Sequence, residues 1–284
     1  MFTNFELPGR DFRITGYSWE CENPGHVMCI IHGIGEHDGR YDRMACEMNK
    51  AGIAVLGIDL RGHGRSEGKR GDTAPRNEIL ADIDALISYA EEKYPGLPIT
   101  LYGHSMGGNI CIDYRARGGK NDIPAKYIIS APWIKLVRSV PGPLYVIVKG
   151  LEKIMPKFAL SSGCPKEYLG NSGNPDVDGY DRDELVHGKI TLRCAVECYD
   201  TGSAIFDGTL KGNGRADGTP TLLMHGDADR ICAVEGSRAM AGQNRDNSAF
   251  TYIEWKGYYH EIHNGGPSAS GDRVIEAIRD YIKN

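Results

Sequence analysis

The residues Gly103-His104-Ser105-Met106-Gly107-Gly108, directly after the apolar run Ile99-Thr100-Leu101-Tyr102, carry the clearest chemical signal in the chain. A serine with glycine two positions away on either side, between a strand and a helix, is the pattern of a nucleophile elbow, a sharp turn that exposes the hydroxyl. The glycines let the backbone bend and let strand and helix approach closely. A serine so placed can attack a carbonyl carbon if a base takes its proton, a carboxylate orients that base and backbone amides hold the developing oxyanion. A second match, Gly64-Arg65-Ser66-Glu67-Gly68, lies in the charged, glycine-rich stretch 61–71 and reads as a loop. It has no strand immediately before it and no apolar-periodic segment right after it. Ser105 is followed by small or apolar residues at 107, 108, 110, 111 and 112. That is the start of a buried helix, whose free N–H groups favour negative charge.

In hydrolases with such an elbow the chain order is Ser, then Asp or Glu, then His. After Ser105 the stretch Leu222-Leu223-Met224-His225-Gly226-Asp227-Ala228-Asp229-Arg230 offers Asp227 and Asp229 past an apolar strand. The stretch Tyr252 to His263 offers His260 and His263 past another. Position alone leaves both choices open. The oxyanion hole takes the amide after the nucleophile, Met106, and one from a loop after an earlier strand. The run Val27 to Ile31 ends in His32-Gly33-Ile34-Gly35-Glu36-His37, whose glycines permit a close approach, and Ile34 is the second donor expected.

These residues need strands to deliver them to a common edge. Strands are predicted at 11–19, 26–32, 53–59, 99–104, 125–131, 221–226 and 250–256, and helices near 39–51, 76–94, 106–117, 234–244 and 271–283. The alternation predicts an α/β fold with a mostly parallel sheet, in which the chemistry gathers at the carboxyl ends of the strands. It stops after Ser130-Ala131-Pro132 and resumes near Thr219-Pro220, giving a core of residues 1–132 and 219–284 with an insertion at 133–218. Within the insertion Leu144, Val148, Leu151, Met155 and Phe158 recur at helical spacing, interrupted by Lys149, Glu152, Lys153 and Lys157. This is either a core helix or an apolar lid over a greasy substrate, touching a membrane surface transiently.

Composition bounds the partners. A chain of 284 residues, 40% hydrophobic and 25% charged, suits a soluble globular protein with one large core, or a core plus an insertion. Net charge is −5 and no dense Lys/Arg stripe occurs, so nucleic acid is not expected. Residues 1–22 lack the basic and apolar regions of a signal peptide, and no long uncharged run could span a bilayer. Eight cysteines without a Cys-x-x-Cys pair read as free thiols in a reducing cytoplasm, and no zinc-site spacing is present. Cys194 and Cys198, four apart, can share a helix face. The expectation is a cytoplasmic enzyme needing neither cofactor nor metal.

Taken together, His32-Gly33-Ile34-Gly35-Glu36-His37-Asp38-Gly39-Arg40-Tyr41, the run Asp59 to Gly68, the elbow, and His225-Gly226-Asp227-Ala228-Asp229 resemble the monoacylglycerol lipases and related lysophospholipase-like hydrolases of the α/β-hydrolase superfamily. The matches run in order from about residue 26 to 263; in the insertion they rest on Leu185-Val186-His187-Gly188-Lys189-Ile190. The resemblance implies Ser105 as nucleophile, Asp229 as acid and His260 as base, with Ile34 and Met106 as oxyanion donors. It places Glu36 and Arg40 at the polar end that takes a glycerol head, a simple salt bridge between them being the alternative, and implies a Cys232 open to thiol reagents near the site. The substrate it implies is a monoacylglycerol, with lysophospholipids and feruloyl or short-chain esters as alternatives. The chain departs from the family at Gly265-Gly266-Pro267, where an acidic residue often follows. By the residues alone, His263 is expected on a helix surface or behind the site, His32 and His104 in packing or loop-fixing, His37 and His63 in loop hydrogen bonds, and Glu261 as a solvated charge.

A nucleotide-binding alternative is visible in Gly33-x-Gly35-x-x-x-Gly39 after a strand, Asp59 ending the next strand and Tyr145-x-x-x-Lys149, the spacing of short-chain dehydrogenases. The acidic residues of that loop would repel a pyrophosphate, and the elbow, Asp229 and His260 would go unused. A non-catalytic binder on the same scaffold is the other alternative, and a complete set of candidate catalytic residues argues against it.

Overall fold

The computed structural model describes residues 2–73, 75–170, 174–265 and 270–284. The strands are β1 (Thr3–Glu6), β2 (Thr15–Trp19), β3 (His26–Ile31), β4 (Ile53–Ile58), β5 (Ile99–His104), β6 (Lys126–Ser130), β7 (Ala159–Ser161), β8 (Lys189–Thr191), β9 (Thr221–Gly226) and β10 (Phe250–Trp255). The helices are α1 (Asp42–Lys50), α2 (Arg76–Lys93), α3 (Met106–Arg117), α4 (Gly142–Glu152), α5 (Pro175–Asp178), α6 (Leu192–Phe206), α7 (Val234–Gln243) and α8 (Asp272–Lys283).

The main sheet runs β1-β2-β4-β3-β5-β6-β9-β10; every pair from β4 to β10 is parallel, and β1 and β2 add antiparallel strands at one edge. Near-continuous apolar runs such as Ile53–Ile58 suit strands covered on both faces. The period-2 alternation of side chains then divides two cores. Cys29, Ile31, Leu56 and Ile58 pack with Ile79, Ile83 and Leu86 of α2 and Ile110 of α3. Met28, Ile30 and Val55 pack on the opposite face with Met44 and Met48 of α1 and Val274, Ile278 and Ile282 of α8. Because β4 and β5 lie on opposite sides of β3, the chain reverses its direction of winding there. In open α/β sheets ligands bind in the crevice beyond the carboxyl ends of the strands at such a point.

Between β6 and β9 the chain leaves this sheet and forms α4, the antiparallel β7–β8 pair, α5 and α6. Helix α4 corrects the core-helix reading: none of its residues is buried, and Val146 and, just beyond it, Ile154 are 70% and 79% exposed. Pro156 disfavours helical backbone at the residue before it, and Met155 and Phe158 follow the helix in turns. The helix is tethered to α6 by the Tyr145 and Tyr199 rings, tilted by 30° with centres 4.2 Å apart, and by Asp200, which pairs with Lys149 at 2.8 Å.

Two further differences have local causes. The expected strand 11–19 forms only from Thr15, and β1, absent from the sequence reading, is a four-residue edge strand with no residue buried. The helix expected from 39 begins at Asp42, after a 3-10 turn over Asp38–Tyr41.

Replacing Ile147 by Ser is expected to change the unfolding free energy by no more than about 0.5 kcal/mol, as for an exposed site. A urea denaturation that instead showed a loss of about 2–5 kcal/mol would mark a packed core position.

Candidate active site

Ser105 sits between β5 and α3 with φ 57° and ψ −118°, a conformation that costs a non-glycine residue about 1–3 kcal/mol. Its neighbours hold it there. The Ser105 N–H donates to Ser130 O at 2.9 Å, and the Asn109 and Trp133 N–H groups donate to Ser105 O, each at 3.0 Å. Glycine is required on both sides: a Cβ on Gly103 would lie 2.4 Å from Gly107 O, and one on Gly107 would lie 2.0 Å from Ile31 O. The second serine match sits in turns, where Ser66 Oγ donates to Asp59 O at 2.6 Å and accepts the Thr15 N–H at 2.8 Å. That hydroxyl is committed to joining loops.

His260 and Asp229 arrive from the loops after β10 and β9. His260 Nε2 lies 2.8 Å from Ser105 Oγ, and His260 Nδ1 lies 2.7 Å from Asp229 Oδ2. The other Asp229 oxygen accepts the Ile231 and Cys232 N–H groups at 2.7 and 3.0 Å. His225, to which the sequence reading gave no role, completes the cage: Nε2 lies 3.1 Å from both Asp229 Oδ2 and Cys232 O. A carbonyl only accepts, so Nε2 carries the proton and Nδ1 accepts from Ser237 Oγ at 2.7 Å. Burial would raise the Asp229 pKa, but His260 and His225 outweigh it and hold the carboxyl far below the usual range. Burial would likewise lower His260, and Asp229 outweighs it, so the imidazole pKa lies above its ordinary value. Asp227 faces solvent and accepts the Gly257 N–H, and His263 is buried against the Tyr41 ring at 5.2 Å. Burial pushes His263 down to about 3, so it stays neutral.

On the loop after β3, His32 accepts the Leu60 N–H at Nε2 (2.9 Å), which leaves its Nδ1–H to donate to Gly33 O (2.7 Å). The Gly33 N–H donates to Glu36 Oε1 at 2.7 Å and is thereby engaged, whereas the Ile34 and Met106 N–H groups have no acceptor among the described residues. Ile34 and Ser105 line the same cavities, and Met106 follows the serine in sequence, so both free amides lie beside it.

Glu36 and Arg40 belong to a buried ionic bridge. Arg40 Nη1 lies 2.7 Å from Glu36 Oε2 and 2.7 Å from Glu261 Oε1, and Nη2 lies 3.0 Å from Glu261 Oε2. Glu261 is 2% exposed, which corrects its reading as a solvated charge: it also accepts the Asn264 amide at 2.7 Å. Burial raises the pKa of both carboxyls; Arg40 overcomes this at Glu261, which is lowered, but not at Glu36, which remains raised. The bridge joins the loop after β3 to the residue after His260. The insertion closes over it, with the Tyr180 ring 4.8 Å from the Arg40 guanidinium, Asp183 2.8 Å from His37 Nε2 and the His187 N–H 2.9 Å from Gly35 O. So His37, expected within its own loop, instead reaches the insertion.

Two cavities meet at Ser105. One of about 20 Å³ is lined by Glu36, Arg40, Tyr180, His260 and Glu261, and the other, of about 180 Å³, by Trp133, Leu136, Ile190, Ile231 and Cys232 among others. Cys232 is a buried free thiol reached through the larger cavity, and Cys194 and Cys198 are buried together on α6. Tyr145 and Lys149 sit on exposed α4 and both engage Asp200, so the dehydrogenase-like spacing forms no site with the loop 33–39. Part of the departing stretch, residues 266–267, lies outside the described residues.

A family model described as Serine aminopeptidase, S33 (Hydrolase_4) matches residues 22–266. The chain belongs to this family. It is 33% identical to a monoacylglycerol lipase of Mycolicibacterium smegmatis over 250 residues, 85% of this chain and 83% of that protein. It is 30% identical to a phospholipase of Bacillus subtilis, covering 93% and 98% of the two chains. It also spans 27% of the length of an uncharacterized abhydrolase domain-containing protein of Dictyostelium discoideum, at 31% identity over 92% of this chain. The solved structure of a Paleococcus ferrophilus monoacylglycerol lipase superposes with a TM-score of 0.80 at 29% identity, over 96% of this chain and 98% of that one. The chain is thus an α/β-hydrolase of the carboxylic ester hydrolase class. No helix among the described residues is long and apolar enough to cross a membrane.

The raised His260 pKa keeps the imidazole protonated, and unable to act as a base, to a higher pH than in free histidine. The acidic limb of kcat/KM for a p-nitrophenyl ester should therefore fall above the free-imidazole value and rise as His260 deprotonates. Asp229→Asn should move that limb down and lower kcat roughly ten-thousand-fold. An unmoved limb would contradict the coupling. Arg40→Met leaves two buried carboxylates facing each other and should cost about 3–5 kcal/mol in chemical denaturation. A loss under about 1 kcal/mol would mark a solvated pair.

Proposed function

We propose that the protein hydrolyses carboxylic esters through an acyl-enzyme on Ser105, and that its substrate is a monoacylglycerol. His260 takes the Ser105 proton as the hydroxyl attacks the carbonyl, and Asp229 stabilises the imidazolium that forms. The Ile34 and Met106 amides hold the oxyanion. His260 then protonates the departing alcohol, and afterwards activates a water that releases the acid and restores the serine. The observation that carries this reading is the unbroken hydrogen-bond line from Asp229 through His260 to Ser105 Oγ, at 2.7 and 2.8 Å, beside two uncommitted amides.

The two cavities support a division of the substrate. The small one, walled by Glu36, Arg40 and Tyr180, suits a hydroxyl-bearing head, and the larger, mainly apolar one suits an acyl chain. The segment 133–218 acts as a cap, and the exposed apolar residues of α4, with Lys149 and Lys153 beside them, suit transient contact with a lipid surface. Eight free cysteines agree with a reducing, cytoplasmic setting. A lysophospholipid is the second reading, favoured by the phospholipase relative.

The test is kcat/KM across monoacylglycerols of several chain lengths, lysophospholipids and feruloyl esters. Monoacylglycerols should be cleaved at least tenfold better than the others; an equal or better lysophospholipid or feruloyl ester would overturn the substrate assignment. Arg40→Ala should lower turnover of monoacylglycerol more than that of p-nitrophenyl acetate, since only the former has a head for that cavity. Equal losses would assign Arg40 to holding the loops alone.

A further inference from the structure

The larger cavity beside Ser105 has an apolar interior but a cationic wall. Arg138 and Arg230 are the charged residues lining it, and no acidic residue does. This contrasts with the neighbouring cavity, where the Arg40 charge is met by Glu36 and Glu261. Neither Arg138 nor Arg230 pairs with a carboxylate among the described residues, and both are exposed in a chain of net charge −5. Arg230 is held on a platform, its guanidinium 5.6 Å from the Tyr168 ring centre and 5.5 Å from that of Tyr259. Stacking on aromatic faces fixes the plane of a guanidinium and leaves its edge free to donate to a carboxylate or phosphate in a two-pronged contact.

We propose that Arg138 and Arg230 form a binding site for an oxyanion carried by the acyl part of the substrate, so that the preferred esters are those whose acyl chain ends in a carboxylate. This rests on the proposed function, in which the larger cavity receives the acyl chain. A carboxylate on the substrate and a phosphate on a lipid surface would present the same chemistry to two guanidiniums. The shared cavity favours the former: Ser105 and both arginines line one space, so the anion they meet belongs to the molecule being cleaved. The ester carbonyl lies at Ser105, the methylenes lie against Trp133, Leu136 and Ile231, and the terminal carboxylate meets the arginines. Acyl transfer is unchanged: the serine ester forms as the alcohol leaves, and water releases a dicarboxylic acid.

The experiment compares p-nitrophenyl esters matched in carbon count: hexanoate, octanoate and decanoate against the mono-p-nitrophenyl esters of adipic, suberic and sebacic acids. The readout is the ratio of kcat/KM, anionic over neutral, which does not depend on the fraction of active enzyme. At low ionic strength the wild type should favour the acid-terminated ester by about tenfold at one chain length or more, the worth of a charged hydrogen-bonded pair. The preference should shrink at 0.5 M NaCl and fall to one or below in Arg138→Gln/Arg230→Gln. A wild-type ratio of one or below at every length, or a preference that the double variant keeps, overturns the proposal while leaving ester hydrolysis itself intact. Absence of turnover on every ester, neutral and acid-terminated alike, would instead refute the underlying function. In a separate arm, monoacylglycerol is presented in phosphatidylcholine vesicles with or without phosphatidylglycerol. If the arginines matter only to the vesicle difference, and soluble half-esters show no preference, they serve lipid phosphates and the proposal fails.

Discussion

A serine held at φ 57° between a strand and a helix constrains everything around it. The turn exists only because Gly103 and Gly107 carry no Cβ where Gly107 O and Ile31 O press in. It also needs a parallel neighbour in register, since β6 supplies the carbonyl of Ser130 that receives the Ser105 N–H. The sheet therefore does more than display the residue. The register of β3, β5 and β6 fixes where the hydroxyl emerges, and the strain is stored locally because three backbone hydrogen bonds and the packed helix α3 over-determine it.

Around that turn two buried electrostatic devices perform different tasks. Asp229 is wrapped by two imidazoles and two amides, an arrangement that keeps it ionised and gives His260 a fixed tautomer. The Glu36–Arg40–Glu261 bridge lies on the other side and spans two loops that are 221 residues apart in sequence between Arg40 and Glu261. Glu36 also receives the Gly33 N–H, so the bridge sets which amide of the loop after β3 stays free. Ion pairs of this kind bring little net stability, because desolvation consumes most of their attraction. Their value is in registering one loop against another.

Much of this was legible from residue order. Ser105 and the aspartate and histidine candidates each follow an apolar run ending in a turn, and a parallel sheet brings such ends together. The choice between neighbours was not legible from position: Asp227 and Asp229 differ in which one faces the imidazole, and Asp227 turns to Gly257 at the surface. Glu261 was misread because a charge beside a loop histidine carries no local sign of a guanidinium contributed from near the other end of the chain. The helix α4 was ambiguous for a related reason, since an apolar period records a face and not what covers it. Strand β1 left no alternation to read, because it is a short exposed edge. His225 had a signal that went unused: it stands two residues before one candidate acid and four before the other.

The most direct measurement is rapid-quench mass spectrometry during turnover of a p-nitrophenyl ester, with a fluorophosphonate label mapped in parallel. The expected result is one acyl adduct and one phosphonyl adduct, both on the peptide that contains Ser105, with no adduct and no turnover in Ser105→Ala. An adduct mapped to Ser66 or any other residue, or turnover that survives in Ser105→Ala, would contradict the assignment of Ser105 as the nucleophile.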